Sequence, residues 1–198
     1  MNITEQALSQ YPTWLEIDLD AVSANTRFAL RTAGTELMAV VKSNGYGFGA
    51  VPIARTALSA GASALAVARC SEALTLRQAG MSAPILVFGM AAPAEVDIAI
   101  NEQISLTLHS FESLSLYTSR ASAAGQKLRV HLKVDTGFGR LGVLPEEARE
   151  LALNAQQSGW IEIEGIYSHL AMADEVPDHP LTIEQIRFFN DAVNALAS

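Results

Sequence analysis

The sequence predicts an α/β fold made of repeated strand–helix units. Two kinds of segment alternate along its 198 residues: short runs of branched apolar residues, and longer stretches that begin at capping residues and end at glycine. Several of the short runs are apolar at nearly every position, which is typical of strands buried on both faces of a parallel sheet. Such a repeat either closes into an eight-stranded barrel or stays open as a doubly wound sheet, and periodicity does not choose between the two.

Six segments are predicted as strands, each followed by a helix. These strands are Leu37–Val41, Ala64–Ala68, Ile85–Phe88, Ile104–Leu108, Leu128–Val134 and Ile161–Tyr167. The unit repeats every roughly 20–30 residues, and right-handed crossovers are expected between parallel strands. Before these units, Trp14–Ile17 is predicted as a separate short strand, and Asp20 as the cap of the helix that follows it.

The boundaries of the later helices are predicted from their first and last residues. The predicted helices are Glu72–Ala79 capped by Ser71, Phe111–Ala124 capped by Ser110, a stretch that Pro145 opens and that ends at Gly159, and a last helix after Thr182. For the last one, Thr182 and Gln185 have the spacing of a capping box, and apolar residues follow at helical spacing.

Composition and charge exclude several classes of function. Apolar residues make up 49% of the chain and charged residues 17%, which excludes a disordered chain and a coiled coil. Lys and Arg number 13 against 21 Asp and Glu, and the net charge of −8 gives no electrostatic footprint for nucleic acid or anionic lipid. The single cysteine, Cys70, cannot form an internal disulfide, and no apolar run reaches the length of a membrane span. We therefore expect a cytoplasmic protein that binds small molecules, and neither nucleic acids nor membranes.

The fifth predicted strand carries polar residues on one face. They are Arg129, His131, Lys133 and Asp135. An edge strand with one wet face would explain them, and so would a strand that lines a polar cavity. The turn Thr136–Arg140 favours the cavity, because its glycines let the backbone approach a ligand and aim Arg140 back over the strand end.

A second candidate site follows the first predicted strand. Lys42 ends that strand, and residues 43–49 contain three glycines around Tyr46. A lysine above apolar residues loses solvation, which favours the neutral amine that Schiff-base chemistry needs. A lysine that simply reaches solvent is the alternative. The glycines by themselves are weak evidence for a phosphate cradle.

A third candidate site follows the sixth predicted strand. Tyr167, Ser168 and His169 lie there, at the same edge of the sheet as the other two sites. A structural histidine would suit this position, and the shared edge favours a functional one. The four histidines show no metal-ligand spacing, so no metal site is predicted.

Four motifs together point to a known family. In chain order they are WLEIDL at 14–19, VKSNGYG at 41–47, KVDTGFGRLG at 133–142 and EGIYSH at 164–169. They resemble the N-terminal barrel of the bacterial alanine racemases, which depend on pyridoxal 5'-phosphate (PLP). The resemblance implies a TIM-type (β/α) barrel over residues 1–198, incomplete because it contains about six of eight βα units. The family continues through two further strands into a C-terminal β domain, and the sequence contains neither.

The resemblance also implies roles for individual residues. Lys42 carries PLP and acts as an acid or base at the substrate Cα. Tyr46 helps to hold the cofactor phosphate, and Arg140 lies near the cofactor phenolic oxygen and the substrate carboxylate. His169 lies beside the cofactor ring. Lys133 matches a lysine that many members carry as a carbamate, which would place an anion opposite Arg140.

The implied activity is the interconversion of L-alanine and D-alanine by two-base proton transfer, which supplies D-alanine for peptidoglycan. In the family, the C-terminal domain supplies the second acid/base, a tyrosine, across the interface of a homodimer. We therefore expect these 198 residues to be inactive alone. Phe48 stands where the family usually has histidine, which removes a polar contact. A non-catalytic PLP-binding barrel that buffers the cofactor is an alternative, and a non-enzymatic interaction module is another.

Overall fold

The computed structural model describes residues 12–176 and 178–197, which form six parallel strands that alternate with α-helices. The strands are β1 Met38–Val40, β2 Ala64–Val67, β3 Ile85–Val87, β4 Ser105–Leu108, β5 Leu128–Lys133 and β6 Ile161–Tyr167. They lie side by side in chain order. A doubly wound sheet reverses its strand order part-way, so the consecutive order decides for a TIM-type barrel, here with six of the eight βα units.

Seven α-helices are described. They are α1 Leu19–Ala33, α2 Ala50–Ser59, α3 Cys70–Gln78, α4 Pro93–Asn101, α5 Phe111–Ala124, α6 Ala148–Gln157 and α7 Pro180–Ala197. Lys42–Tyr46 forms a short helical turn after β1, and Pro145–Glu147 is a 3-10 turn that leads into α6. None of the described helices is long and apolar enough to cross a membrane.

The core lies between the sheet and the helices that cover it. Every residue of β2, β3 and β4 is buried, as the continuous apolar runs predict for β2 and β3. Each helix from α2 to α7 contributes at least one fully buried alanine, and these include Ala54, Ala73, Ala99, Ala121, Ala155 and Ala192. A methyl group at these positions lets the helices pack closely on the strands.

Strand β1 differs from the prediction because it is an edge of the sheet. Among the described residues it pairs only with β2, and β6 pairs only with β5. Val40 is therefore 37% exposed, although the apolar run around it predicted burial on both faces.

Strand β5 is an inner strand, so the edge-strand explanation for its polar face is wrong. It pairs with β4 on one side and β6 on the other. Side chains of β4 and β6 meet across it inside the barrel: Ser105 donates to Glu164 at 2.5 Å, and the Thr107 hydroxyl lies 2.7 Å from that of Tyr167. His131 Nε2 lies 3.8 Å from Glu164 in the same interior. The polar face thus lines the inside of the barrel.

The region before α1 also differs from the prediction. Trp14–Ile17 is not in a strand, and Trp14 and Leu15 are exposed. An apolar segment forms a strand only where another strand offers it a partner, and no described strand lies beside this one. Asp18 caps α1 instead of Asp20, since its carboxylate accepts the N–H groups of Asp20 and Ala21 at 2.9 and 3.0 Å.

Two of the predicted helix starts are confirmed. The Ser110 side chain accepts the Ser113 N–H at the start of α5, which ends at Gly125 in the left-handed conformation. Pro145 opens the turn that continues into α6.

Two further predicted starts, besides Asp20, are wrong. Ser71 lies inside α3, and the N–H groups that precede this helix are bound by Glu72. Thr182 lies inside α7, which begins two residues earlier, and Gln185 makes no capping box, since its side chain reaches two distant loops.

Candidate active site

A cavity of about 450 Å³ opens at the carboxyl ends of the strands. It brings together all five residues that the sequence singled out for the site: Lys42, Tyr46, Lys133, Arg140 and His169. They come from the segments after β1, β5 and β6, together with the last residue of β5. Barrels of this type bind their ligands at this rim, where loops of variable sequence meet.

The turn that carries Lys42 and Tyr46 is left-handed. The φ angles of Ser43, Asn44, Gly45 and Tyr46 are 53°, 55°, 64° and 56°. This conformation costs a residue with a Cβ atom about 1–2 kcal/mol. At Gly45 a Cβ would also lie 3.2 Å from backbone atoms of the next helix, a tight contact that favours glycine there. A turn of this kind persists only where its surroundings hold it.

Two side chains bind the backbone around this turn. The Ser43 N–H donates to Glu72 at 2.5 Å, and the Ala50 N–H donates to the side chain of Asn44 at 2.9 Å. The turn leaves the Lys42 Nζ 5.9 Å from the centre of the Tyr46 ring, and both side chains line the cavity. Lys42 is half-buried there, so its side chain does not simply extend into solvent.

Lys133 is the buried cation of the site. Its side chain is 8% exposed, its Nζ donates to the Val134 carbonyl at 3.3 Å, and it lies 5.0 Å from the centre of the Tyr167 ring. Burial is the main reason that the pKa of this amine is lowered to about 8. The negative charge of Asp135 raises this pKa, and the positive charge of Arg140 lowers it further. Part of the Lys133 population is therefore neutral near physiological pH.

Asp135 shapes the glycine-rich loop that follows β5. Its carboxylate accepts the N–H groups of Gly137 and Gly139, each at 2.9 Å. Burial raises the pKa of Asp135, but the backbone donors from Gly137, Gly139 and Phe138 more than offset it, so the pKa lies below its usual value. The folded loop stacks the Arg140 guanidinium 4.0 Å from the centre of the Phe138 ring.

The same phenylalanine contacts the site histidine. The Phe138 and His169 rings are 4.6 Å apart and meet edge to face, at 82°. Burial lowers the pKa of His169, and the positive charges of Arg140, Lys133 and Lys42 lower it further. The imidazole is therefore neutral at physiological pH, and the three cations lie close enough to act on it. Neither its position nor its sequence context singled out Phe138.

Gln185 has a role in the site that the sequence did not reveal. It is fully buried on α7, and its Nε2 donates to the His169 carbonyl at 3.0 Å and to the Thr136 hydroxyl at 3.2 Å. Its Oε1 accepts the Ala171 N–H at 2.8 Å, while Thr136 lies 2.7 Å from the hydroxyl of Ser168. Gln185 thus joins the loops after β5 and β6 and holds His169 at the rim.

Comparison with known proteins identifies the family. The family model described as "Alanine racemase, N-terminal domain" matches residues 17–198. The chain belongs to the alanine racemase family. It matches the alanine racemase of Symbiobacterium thermophilum at 44% identity over 188 residues, which is 94% of this chain and 50% of that protein. The alanine racemase of Geobacillus stearothermophilus is 45% identical over 183 residues, which cover 90% of this chain and 46% of that protein.

Solved structures of alanine racemases have the same fold. The enzyme from D-cycloserine producing Streptomyces lavendulae superposes with a TM-score of 0.86 at 42% identity, over 91% of this chain and 48% of that one. The enzyme from E. faecalis superposes with a TM-score of 0.88 at 37% identity, over 94% of this chain and 51% of that one. The chain therefore spans about half the length of the alanine racemases that it matches.

Proposed function

We propose that this chain is the PLP-binding barrel of an alanine racemase and that Lys42 carries the cofactor. The observation that supports this most directly is the position of Lys42, a half-buried primary amine that lines the rim cavity with Tyr46, Arg140 and His169. The residues of the cavity fit PLP: the amine suits its aldehyde, the neutral imidazole its ring, and the phenol and guanidinium its anionic oxygens. When bound, PLP would supply the electron-withdrawing ring that makes the substrate Cα–H acidic.

Each residue has a task in this proposal that follows from its chemistry. Arg140 offers two parallel N–H donors to a carboxylate or phenolic oxygen, and its cation–π contact with Phe138 restricts where the guanidinium lies. His169 would hold the cofactor ring with its uncharged imidazole, and the Tyr46 hydroxyl would donate to the phosphate. Lys42 exchanges a proton on one face of the alanine Cα.

Racemisation also needs a proton donor or acceptor on the opposite face. Because the chain spans about half the length of its relatives, we propose that the rest of the complete enzyme supplies this group, within a homodimer. We place the complete enzyme in the cytoplasm, where it would provide D-alanine for peptidoglycan.

We propose that Lys133 forms a carbamate. Its depressed pKa of about 8 leaves a neutral amine whose nitrogen can attack CO₂ and release a proton. The product would replace a buried cation with an anion opposite Arg140, which relieves the repulsion between the two cations and orients the guanidinium. A ¹³C signal that appears with labelled bicarbonate in the wild type, and not in Lys133→Met, would support this assignment.

The function is tested by trapping PLP on the chain. The sequence contains three lysines, Lys42, Lys127 and Lys133, so borohydride reduction followed by peptide mass spectrometry assigns the adduct unambiguously. We expect the cofactor on Lys42, none in Lys42→Ala, and unchanged trapping in Lys127→Ala. In the complete enzyme, Lys42→Ala should abolish racemisation.

Two results would contradict the proposal. Equal labelling of all three lysines would mean that the cavity does not select Lys42, and racemisation that survives Lys42→Ala would exclude its catalytic role. Specific labelling without racemisation by the complete enzyme would favour the alternative of a non-catalytic barrel that binds PLP.

A further inference from the structure

Glu72 lies between two of the loops that border the cavity. Its Oε2 accepts the N–H groups of Ala68 and Arg69, at 2.9 and 3.0 Å, just before α3. Its Oε1 accepts the N–H of Ser43 at 2.5 Å, 29 residues earlier in the chain. One carboxylate therefore binds the start of its own helix and, at the same time, the peptide that follows Lys42.

The bond to Ser43 acts where the lysine turn begins. The Ser43 N–H belongs to the peptide that joins Lys42 to Ser43, so an acceptor fixed on α3 sets the plane of that peptide and the direction in which the Lys42 side chain leaves the backbone. Two other bonds hold the turn without binding this peptide: Gly45 donates to the Val41 carbonyl, and Ala50 donates to the Asn44 side chain. Ser43 is left-handed, a conformation that persists where surrounding contacts hold it, and Glu72 supplies one of these contacts.

A comparison within the chain separates this role from ordinary helix capping. Glu95 in α4 binds the N–H of Ala92 at 2.8 Å, and Glu147 binds that of Leu144 at 3.0 Å. Like Glu72, both are carboxylates at the third position of a helical segment that accept an N–H group just before it. Within residues 12–176 and 178–197, neither binds the lysine turn, so Glu72 alone of the three adds that contact.

We propose that Glu72 is a positioning residue that fixes the Lys42–Ser43 peptide and thereby holds the Lys42 amine in the cavity. This inference rests on the proposed role of Lys42. A carboxylate is required because each of its two oxygens serves a different backbone segment. Glutamine has the same shape but only one acceptor oxygen, and that oxygen keeps more bonds when it faces the two N–H groups of Ala68 and Arg69, so Glu72→Gln loses the bond to Ser43.

The first measurement needs no cofactor. Amide hydrogen exchange at Ser43, followed by NMR in the full chain, should be at least about tenfold faster in Glu72→Gln than in the wild type, because a charge-assisted bond is lost. Glu95→Gln is the matched control: it weakens the same kind of cap, and we expect Ser43 to exchange at the wild-type rate. Unchanged exchange at Ser43 in Glu72→Gln would overturn the inference.

The second measurement is the rate at which PLP is trapped on Lys42 by borohydride. We expect Glu72→Gln to slow trapping about tenfold, whereas Glu95→Gln leaves it unchanged. Equal trapping by Glu72→Gln and wild type, or equal slowing in both variants, would overturn the positioning role. Failure of the wild type to trap PLP would count against the proposed function instead, while faster Ser43 exchange in Glu72→Gln would still support the attachment of the turn by Glu72.

Discussion

The basic groups of the cavity differ in burial, and burial lowers the pKa of two of them, Lys133 and His169. Lys133 is buried deepest and its pKa is lowered to about 8, while Arg140 stacks on Phe138 nearer the loop. Burial and the positive charges of Arg140, Lys133 and Lys42 lower the pKa of His169, so its imidazole is neutral. The sequence places these residues in motifs, but their charges follow from distances and burial that a motif does not contain.

Lys133 makes the stability of the fold depend on pH in a predictable direction. Below about pH 8 its amine is protonated in the folded and the unfolded chain, so burial of the charge opposes folding in full. Between about pH 8 and the ordinary value of 10.5, the folded chain has lost the proton and the unfolded chain has not, so the free energy of unfolding rises with pH.

Lys133→Met removes this contribution. The difference in free energy of unfolding between the variant and the wild type should favour the variant more at about pH 7 than at about pH 10.5. We expect this difference to shrink by roughly 2–3 kcal/mol across that interval. Urea unfolding in bicarbonate-free buffer measures it, with the exposed Lys127→Met as control. Parallel pH profiles for wild type and Lys133→Met would contradict the assignment.

At the scale of elements, helix α7 and strand β5 support the site in ways that local patterns hide. The spacing of Thr182 and Gln185 matches a capping box, yet both lie inside α7 and are buried. Gln185 binds Thr136, 49 residues earlier in the chain. The polar alternation in β5 was compatible with an edge strand, and its place between β4 and β6 decided otherwise.

Gln185→Ala tests whether α7 holds the rim. The change leaves the His169 carbonyl and the Ala171 N–H without their partner and opens a small cavity, so we expect a loss of about 2–4 kcal/mol in the free energy of unfolding. Urea denaturation measures it, and the exposed neighbour Glu184→Ala is the control on the same helix. A similar, small loss in both variants would show that Gln185 is not the connection between the loops.

At the scale of the whole molecule, the described sheet has two unpaired edges, β1 and β6. Ile163 on β6 is 36% exposed and Val40 on β1 is 37% exposed. Unpaired strands with apolar side chains offer N–H and C=O groups to other chains. The chain by itself should therefore associate through these edges.

Ile163→Lys should reduce that association, because a charge on an edge strand disfavours pairing with a second copy. We expect a lower apparent mass in concentration-dependent light scattering than for the wild type. Ile183→Lys on α7 is the control, since Ile183 is also exposed but lies outside the sheet. A monomeric wild type at all concentrations would contradict the expectation.

The sequence alone determined the strand–helix repeat, the approximate bounds of all six strands and the five residues that meet at the rim. These features are local: apolar runs, caps such as Ser110 and short motifs depend on residues next to one another. The tertiary structure decided the barrel order of the strands, the left-handed course of the lysine turn, and the contacts from Glu72 and Gln185 that hold the site. Those depend on segments brought together only when the core packs, and no pattern of neighbouring residues records such contacts.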